Sequence, residues 1–174
     1  VEACTNNGTV SADAAGTAEG TSIMAAGLVA YVDPTSKVAL CTNIGTVSIP
    51  NSCTTVSDSS NCFVAGIVAM NEGIVEDCFN NGVITASAQA VQSCAAGIVA
   101  VNNNYNNNIA IVRNCQNAGA INFGSKKGSA ASLYSGGVAG VIAVANGEVY
   151  GNTNEGDITS SSNVQELYIG GIAA

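Results

Sequence analysis

Residues 75–86 read VEDCFNNGVITA; 37 residues earlier the chain reads VALCTNIGTVSI, and 37 residues later VRNCQNAGAINF. The match extends to both ends as a column of Cys4, Cys41, Cys78 and Cys115, with Asn152 in the fifth copy. Three positions before this column stand Val1, Val38, Val75, Val112 and Val149. Two positions after it stand Asn6, Asn43, Asn80, Asn117 and Asn154, and four after it Gly8, Gly45, Gly82, Gly119 and Gly156. Six after it come Val10, Val47, Ile84, Ile121 and Ile158. Columns kept over five copies without a gap mark an array, and a period of this size means stacked units. The expected organisation is one solenoid domain, 1–174, built from repeats 1–37, 38–74, 75–111, 112–148 and 149–174.

Each unit carries a second block: Ala26-Gly-Leu-Val-Ala30, Ala65-Gly-Ile-Val-Ala69, Ala96-Gly-Ile-Val-Ala100, Gly136-Gly-Val-Ala-Gly140 and Gly170-Gly-Ile-Ala-Ala174. Its second residue follows the Cys column by 23, 25, 19, 22 and 19 residues, so the segments between the blocks absorb insertions as loops do. Alanine, glycine, asparagine, serine, threonine and valine dominate, which suits short strands and tight turns.

The expected fold is all-β: a parallel β-helix of about five coils with three short strands each. It is expected to be right-handed, because crossovers between parallel strands favour that hand. One strand runs through Val-x-x-Cys, Asn-x-Gly turns a corner, a second strand runs through x-Val/Ile-x, and the Ala-Gly-Ile-Val-Ala block forms the third. Glycine at the corner permits a positive φ, and asparagine tolerates it better than most residues. Coils in register hold equivalent asparagines roughly 4.8 Å apart, where their amides can bond along the stack.

The same spacing bears on the seven cysteines. Equivalent Cβ atoms about 4.8 Å apart are further than the roughly 3.5–4.5 Å a disulfide prefers, so Cys4, Cys41, Cys78 and Cys115 are expected to be buried, reduced packing residues. Cys53 and Cys62 flank the polar loop SCTTVSDSSNC and can pair to close it, with Cys94 a competing partner for Cys62. With no His and no Cys-x-x-Cys, a zinc site is not expected. The second block is apolar on both parities: Met24, Phe63, Cys94, Tyr134 and Tyr168 on one, Val29, Val68, Val99, Ala139 and Ala173 on the other. One parity lines the solenoid; the other needs a cover, and the Asn-rich stretch 101–112 is the expected one.

Composition narrows the partners. Apolar residues make up 47% of the chain, which excludes a disordered polymer. Twelve acids against four bases (Lys37, Arg113, Lys126 and Lys127) give a net charge of −8 and no basic patch, so nucleic acid is not an expected partner. The longest apolar run, about residues 23–32, is shorter than the roughly 20 residues a spanning helix needs, so no membrane span is expected. The first residues lack a leader pattern, and an export signal is expected outside them. Neither end carries an atypical capping repeat, which leads us to expect a segment of a longer protein or self-association at open ends.

Gly-Gly-Ile-x-Ala/Gly together with Val-x-x-Cys-x-Asn-x-Gly-x-Val resembles the GLUG-motif repeats of bacterial surface proteins and adhesins, over essentially the whole chain. Ala stands for the leading Gly of the second block in three units. The resemblance implies an exported β-solenoid at the cell surface or outside the cell, adhesive or scaffold-forming, with no catalytic residues and no cofactor. Its expected partners are neighbouring coils or domains, a glycan or a host surface protein. Two other functions make different demands on the sequence. A polysaccharide-active β-helix enzyme needs clustered acids; Glu76 and Asp77 share one corner and Glu155 and Asp157 another, while Glu76 and Arg113 hold one repeat position in adjacent coils, as an ion pair would. Ice binding needs a flat array, and Thr9/Ser11, Thr46/Ser48, Thr85 and Thr159 fall in columns that Val83, Ala120, Asn122 and Asp157 interrupt.

Overall fold

The computed structural model describes residues 1–13, 15–16, 22–50, 54–55, 61–88, 92–106, 108–125, 132–143, 147–162 and 164–174. Among them there is no helix, and the paired strands run parallel. Five stacks form the walls of a parallel β-solenoid. The Val sheet holds Lys37–Ala39, Ile74–Glu76, Ile111–Arg113 and Glu148–Tyr150. The Asn sheet holds Thr5–Asn6, Thr42–Asn43, Phe79–Asn80, Gln116–Asn117 and Thr153–Asn154. The Val/Ile sheet holds Val10–Ser11, Val47–Ile49, Ile84–Ala88, Ile121–Ser125 and Ile158–Ser162. The Ala-Gly sheet holds Ser22–Ala26, Asn61–Ala65, Gln92–Ala96, Ser132–Gly136 and Glu166–Gly170. The closing sheet holds Val29–Val32, Val68–Asn71, Val99–Asn103 and Ala139–Ala143. A small sixth ladder pairs Ala15–Gly16 with Thr54–Thr55.

The counts differ from expectation in two ways. Three coils carry all five walls, and the first and last units carry four each, so the stack is shallower than five full coils. Each full coil has five strands rather than three, because both repeat blocks bend in the middle. The first bend precedes the Cys column. Ala3, Leu40, Asp77 and Asn114 have φ values of 52, 54, 52 and 53°, and Gly151 has 66°. This left-handed conformation costs a non-glycine residue roughly 1–2 kcal/mol. The thiol spans the bend: Cys41 Sγ donates to Ala39 O at 3.1 Å, Cys78 to Glu76 O at 3.2 Å and Cys115 to Arg113 O at 3.2 Å. Val-x-x-Cys is therefore a strand followed by a corner.

Cys41, Cys78 and Cys115 are buried and unpaired, as expected, but Cys4 is exposed because the first unit contributes only the bridge Glu2↔Ala39 to the Val sheet. Asn152 instead ties the fifth unit to the fourth: its Nδ2 donates to Val112 O at 2.9 Å, and its Oδ1 accepts from Cys115 N at 2.7 Å.

At the next corner the asparagines form one continuous ladder. Each Nδ2 donates to the Oδ1 one coil on: Asn6 to Asn43 (2.8 Å), Asn43 to Asn80 (2.8 Å), Asn80 to Asn117 (2.7 Å) and Asn117 to Asn154 (2.7 Å). The second amide hydrogen goes to the glycine carbonyl two residues ahead, as from Asn80 to Gly82 O at 3.0 Å. The corner glycines are there for space, not for backbone handedness, since Gly151 is the described glycine with a positive φ. A Cβ on Gly82 would overlap the Gly45 carbonyl and crowd the Asn43 amide.

The second bend is at the glycine of the second block. A Cβ on Gly66 would overlap Gly97 O and the side chain of Asn80; Gly27, Gly97 and Gly137 face Asn43, Asn117 and Asn154 in the same way. The two glycine and asparagine columns thus meet across the interior and pinch it into two lobes. One lobe packs Val47, Ile49, Ile84, Ile121 and Phe123 against Ile23, Cys62, Val64 and Leu133. The other packs Val38, Val75, Val112 and the buried cysteines against Ile67, Val68, Ile98 and Val99. Val38, Val75 and Val112 and, in the other column, Val47, Ile84 and Ile121 point inward, whereas Val1 is exposed.

The same bend accounts for the second apolar parity. Phe63, Ala65 and Cys94 from the Ala-Gly sheet pack with Ala69, Ala100 and Val101 from the closing sheet into a third buried cluster on the outer side of the bend. The block covers itself, and the two ends of 101–112 are strand rather than a lid: 101–103 belong to the closing sheet and 111–112 to the Val sheet. Register also separates Cys62 from Cys94: Cys62 sits opposite Ser93 and Phe63 opposite Cys94, so the two thiols lie on opposite faces of the sheet. The Cys53–Cys62 pairing falls on Cys53, which lies outside the described residues.

Candidate functional site

Among the described residues, the edge between the closing sheet and the Val sheet carries side-chain hydrogen-bond networks on its turns. There the chain crosses by a turn at 33–36, by Glu72-Gly73, and by a longer excursion at 104–110.

Two polar clusters occupy this edge. Tyr31, Glu72 and Asn103 belong to three successive coils. The Tyr31 hydroxyl donates to Glu72 Oε2 at 2.5 Å, and Asn103 Nδ2 donates to Glu72 Oε1 at 3.0 Å. The hydrogen bond to Glu72 pushes the Tyr31 phenol up to about 12. Beneath them Asn71 Nδ2 donates to Asn102 Oδ1 at 2.7 Å and to Gly73 O at 3.1 Å, forming a second, shorter asparagine ladder. The 104–110 excursion is pinned at its base, with Ala110 N donating to Asn104 Oδ1 at 2.8 Å and Asn102 Nδ2 donating to Ala110 O at 3.0 Å. It closes through the Tyr105↔Asn108 bridge and presents Tyr105 and Ile109 to solvent. At the 33–36 turn the Asp33 carboxylate accepts from Thr35 N, Thr35 Oγ1 and Ser36 Oγ at 2.8, 2.8 and 2.9 Å, which holds its pKa below the usual value.

The second cluster lies on the Val sheet. Glu76 stands opposite Arg113 in register; Arg113 Nε donates to Glu76 Oε2 at 2.8 Å, and its Nη2 contacts the same oxygen. Lys37 Nζ donates to Glu76 Oε1 at 2.9 Å, and Arg113 Nη1 donates to the Tyr150 hydroxyl at 3.2 Å. Lys37 first, then Arg113, holds Glu76 below the ordinary carboxylate pKa. A glycosidase acid needs the opposite shift, so Glu76 is built as a structural anion rather than a proton donor. Asp77, which shares its corner, is at the left-handed bend and exposed; Glu155 and Asp157 are exposed too.

Burial pushes Cys41 and Cys94 up, and Cys115 is raised first by its hydrogen bond with Cys78, which lowers Cys78 in turn. On the Val/Ile sheet, Ser11, Ser48, Thr85, Asn122 and Thr159 form one outward column in register, so the hydroxyl array seen in the sequence exists with Asn122 inside it. No three His, Cys, Asp or Glu side chains among the described residues are grouped to hold a metal ion. None of the described residues forms a helix long and apolar enough to cross a membrane.

Sequence reasoning identified the Glu76–Arg113 pair from its shared repeat position. It missed the Tyr31–Glu72–Asn103 cluster, whose members are 41 and 31 residues apart and so off the 37-residue period. No protein-family model matches the chain, and neither a curated protein nor a solved structure matches it.

Proposed function

We propose that the chain is a non-catalytic, exported surface module: a stiff spacer that displays one elaborated edge for binding to a cell surface, glycan or matrix. The observation that carries this reading is the buried ladder Asn6–Asn43–Asn80–Asn117–Asn154, whose amides are engaged in joining coils to each other. The Lys37–Glu76–Arg113 cluster is likewise committed to holding neighbouring coils together. The resemblance to GLUG-motif surface repeats supports the same reading, including an extracellular location. Beads bearing the purified chain are expected to be retained on host cells or matrix proteins above beads bearing an inert protein. No retention on any such surface, or cleavage of a polysaccharide in an activity screen, would sink it.

A second reading, association of copies, is favoured by apolar side chains of the last unit. Leu167, Ile169 and Ile172 are exposed there, whereas Leu133, Ser135 and Val138 in the preceding coil are buried. Sedimentation over a wide concentration range tests it: growing polymers support stacking of copies, and a monomer at every concentration removes it.

A further inference from the structure

Glu72 is a nearly buried carboxylate that joins three coils through neutral partners rather than through cations. It is only 5% exposed, and no cation pairs with it among the described residues. Its two oxygens instead face two neutral donors, Tyr31 Oη and Asn103 Nδ2. Holding a carboxylate out of water with neutral partners alone costs stability, and such local departures from good packing are expected where a surface must be shaped for a ligand.

The arrangement fixes what the edge offers. Tyr31 has committed its proton to Glu72, so its phenol oxygen is left as an acceptor; Asn103 has committed its amide nitrogen, so Oδ1 is left as an acceptor. Beside them are two exposed rings, Tyr31 at 47% and Tyr105 at 51%, the second carried on the pinned 104–110 excursion. We propose that this edge binds a neutral glycan. The tyrosine rings stack on the C–H faces of the sugars, and the Tyr31 oxygen and Asn103 carbonyl accept from sugar hydroxyls. The proposal rests on the display reading above and names its ligand class.

The charge of the ligand follows from the surroundings. A chain of net charge −8, with Glu72 and Asp33 at this edge, repels acidic sugars. A quaternary ammonium ligand wants rings and an available carboxylate around one point. Here both Glu72 oxygens are occupied, and the aromatic and amide groups run in a row across three coils rather than around a cage.

The test is a glycan array of neutral and acidic oligosaccharides with choline as an added probe, followed by calorimetric titration of the strongest neutral binder. Tyr105→Ala is expected to weaken binding at least ~10-fold and Tyr31→Phe by a smaller factor, both with unchanged circular dichroism. Ile44→Ala, at an exposed residue beside the Asn sheet, is expected to bind as wild type does. The inference is overturned if Tyr105→Ala binds undiminished, or if choline or acidic glycans bind in preference to neutral ones. It is also overturned if no neutral oligosaccharide binds while the chain-coated beads still adhere, which leaves the display reading standing. Neutral-glycan binding by a chain whose beads adhere nowhere would retain this site and remove the display reading.

Discussion

Two asparagine ladders run along this solenoid, and they teach different things. The five-residue ladder, Asn6 to Asn154, lies on the 37-residue period and is enclosed by glycines from both blocks. The two-residue ladder, Asn71 to Asn102, spans 31 residues and stops at Val32 on one side and Ile142 on the other. Both use the same side chain and the same bond. The first is a structural spine repeated in each unit; the second is a local brace under the edge where Tyr31, Glu72 and the 104–110 excursion meet. A repeated bond specifies register along the whole stack, whereas a single one holds a particular surface in shape.

The largest test of this contrast is steric. Gly66→Ala puts a methyl group into the Gly97 carbonyl and the Asn80 side chain at once. Backbone on one side and a laddered amide on the other leave little room to relax, so a loss above about 4 kcal/mol is expected in denaturant unfolding. A wild-type midpoint would mean that the waist between the two lobes is not closed.

Next in size is the comparison of rungs. Asn80→Ala removes bonds to Asn43, Asn117 and both backbone groups of Gly82, all buried. At about 1 kcal/mol per bond plus the penalty on stranded partners, a loss of about 3–5 kcal/mol is expected. Asn102→Ala removes only the bonds with Asn71 and Ala110 O and is expected to cost about 2 kcal/mol. Chemical denaturation of both variants ranks them; equal losses would erase the distinction between spine and brace.

How much of this was legible in the sequence follows from periodicity. The inward Val and Ile columns, the asparagine spine and the Glu76–Arg113 pair all recur at a constant interval, so a single alignment of the units exposes them. The bend before the Cys column is equally periodic in space, but Ala3, Leu40, Asp77, Asn114 and Gly151 share no side chain, because in the first four units the thiol that follows, rather than the bent residue, bonds across the bend. The glycines were recognised with the wrong reason attached: backbone handedness was the local explanation, whereas the cause is a carbonyl one coil away. The Tyr31–Glu72–Asn103 cluster was invisible because loops of unequal length bring its members together.

The two edge clusters also differ in their response to pH. Glu76 has a folded pKa below its ordinary 4.5, held there first by Lys37 and then by Arg113. A depressed carboxylate contributes stability that is fully present above its unfolded pKa and is lost as pH falls through the folded one. Glu76→Gln is therefore expected to cost under about 1 kcal/mol at neutral pH, with the gap to wild type closing below pH 4.5. A gap that stays constant down to strongly acidic pH would show that the ion pairs contribute nothing.

The smallest effect on stability, and the most direct reading of the edge, comes from Tyr31. Its phenol is raised from 10.0 to about 12, chiefly because its proton is held by Glu72. The sign is opposite to that of Glu76: a raised pKa contributes stability present below the unfolded value of 10.0 and lost as pH rises through about 12. Ultraviolet titration of the folded chain should therefore show Tyr31 lagging to about 12; Tyr134, raised by burial, is a separate late group. The lag should disappear in Tyr31→Phe, and in Glu72→Gln, where a neutral amide replaces the carboxylate, that tyrosine should titrate closer to 10.0. Because Tyr31 is nearly half exposed, neither substitution should move the melting temperature at neutral pH as far as Asn80→Ala does. If substituting Tyr31→Phe removes a group titrating near 10.0 rather than a late one, the Tyr31–Glu72 bond is not formed in solution. The acceptor row along this edge would then lose the feature that orients it.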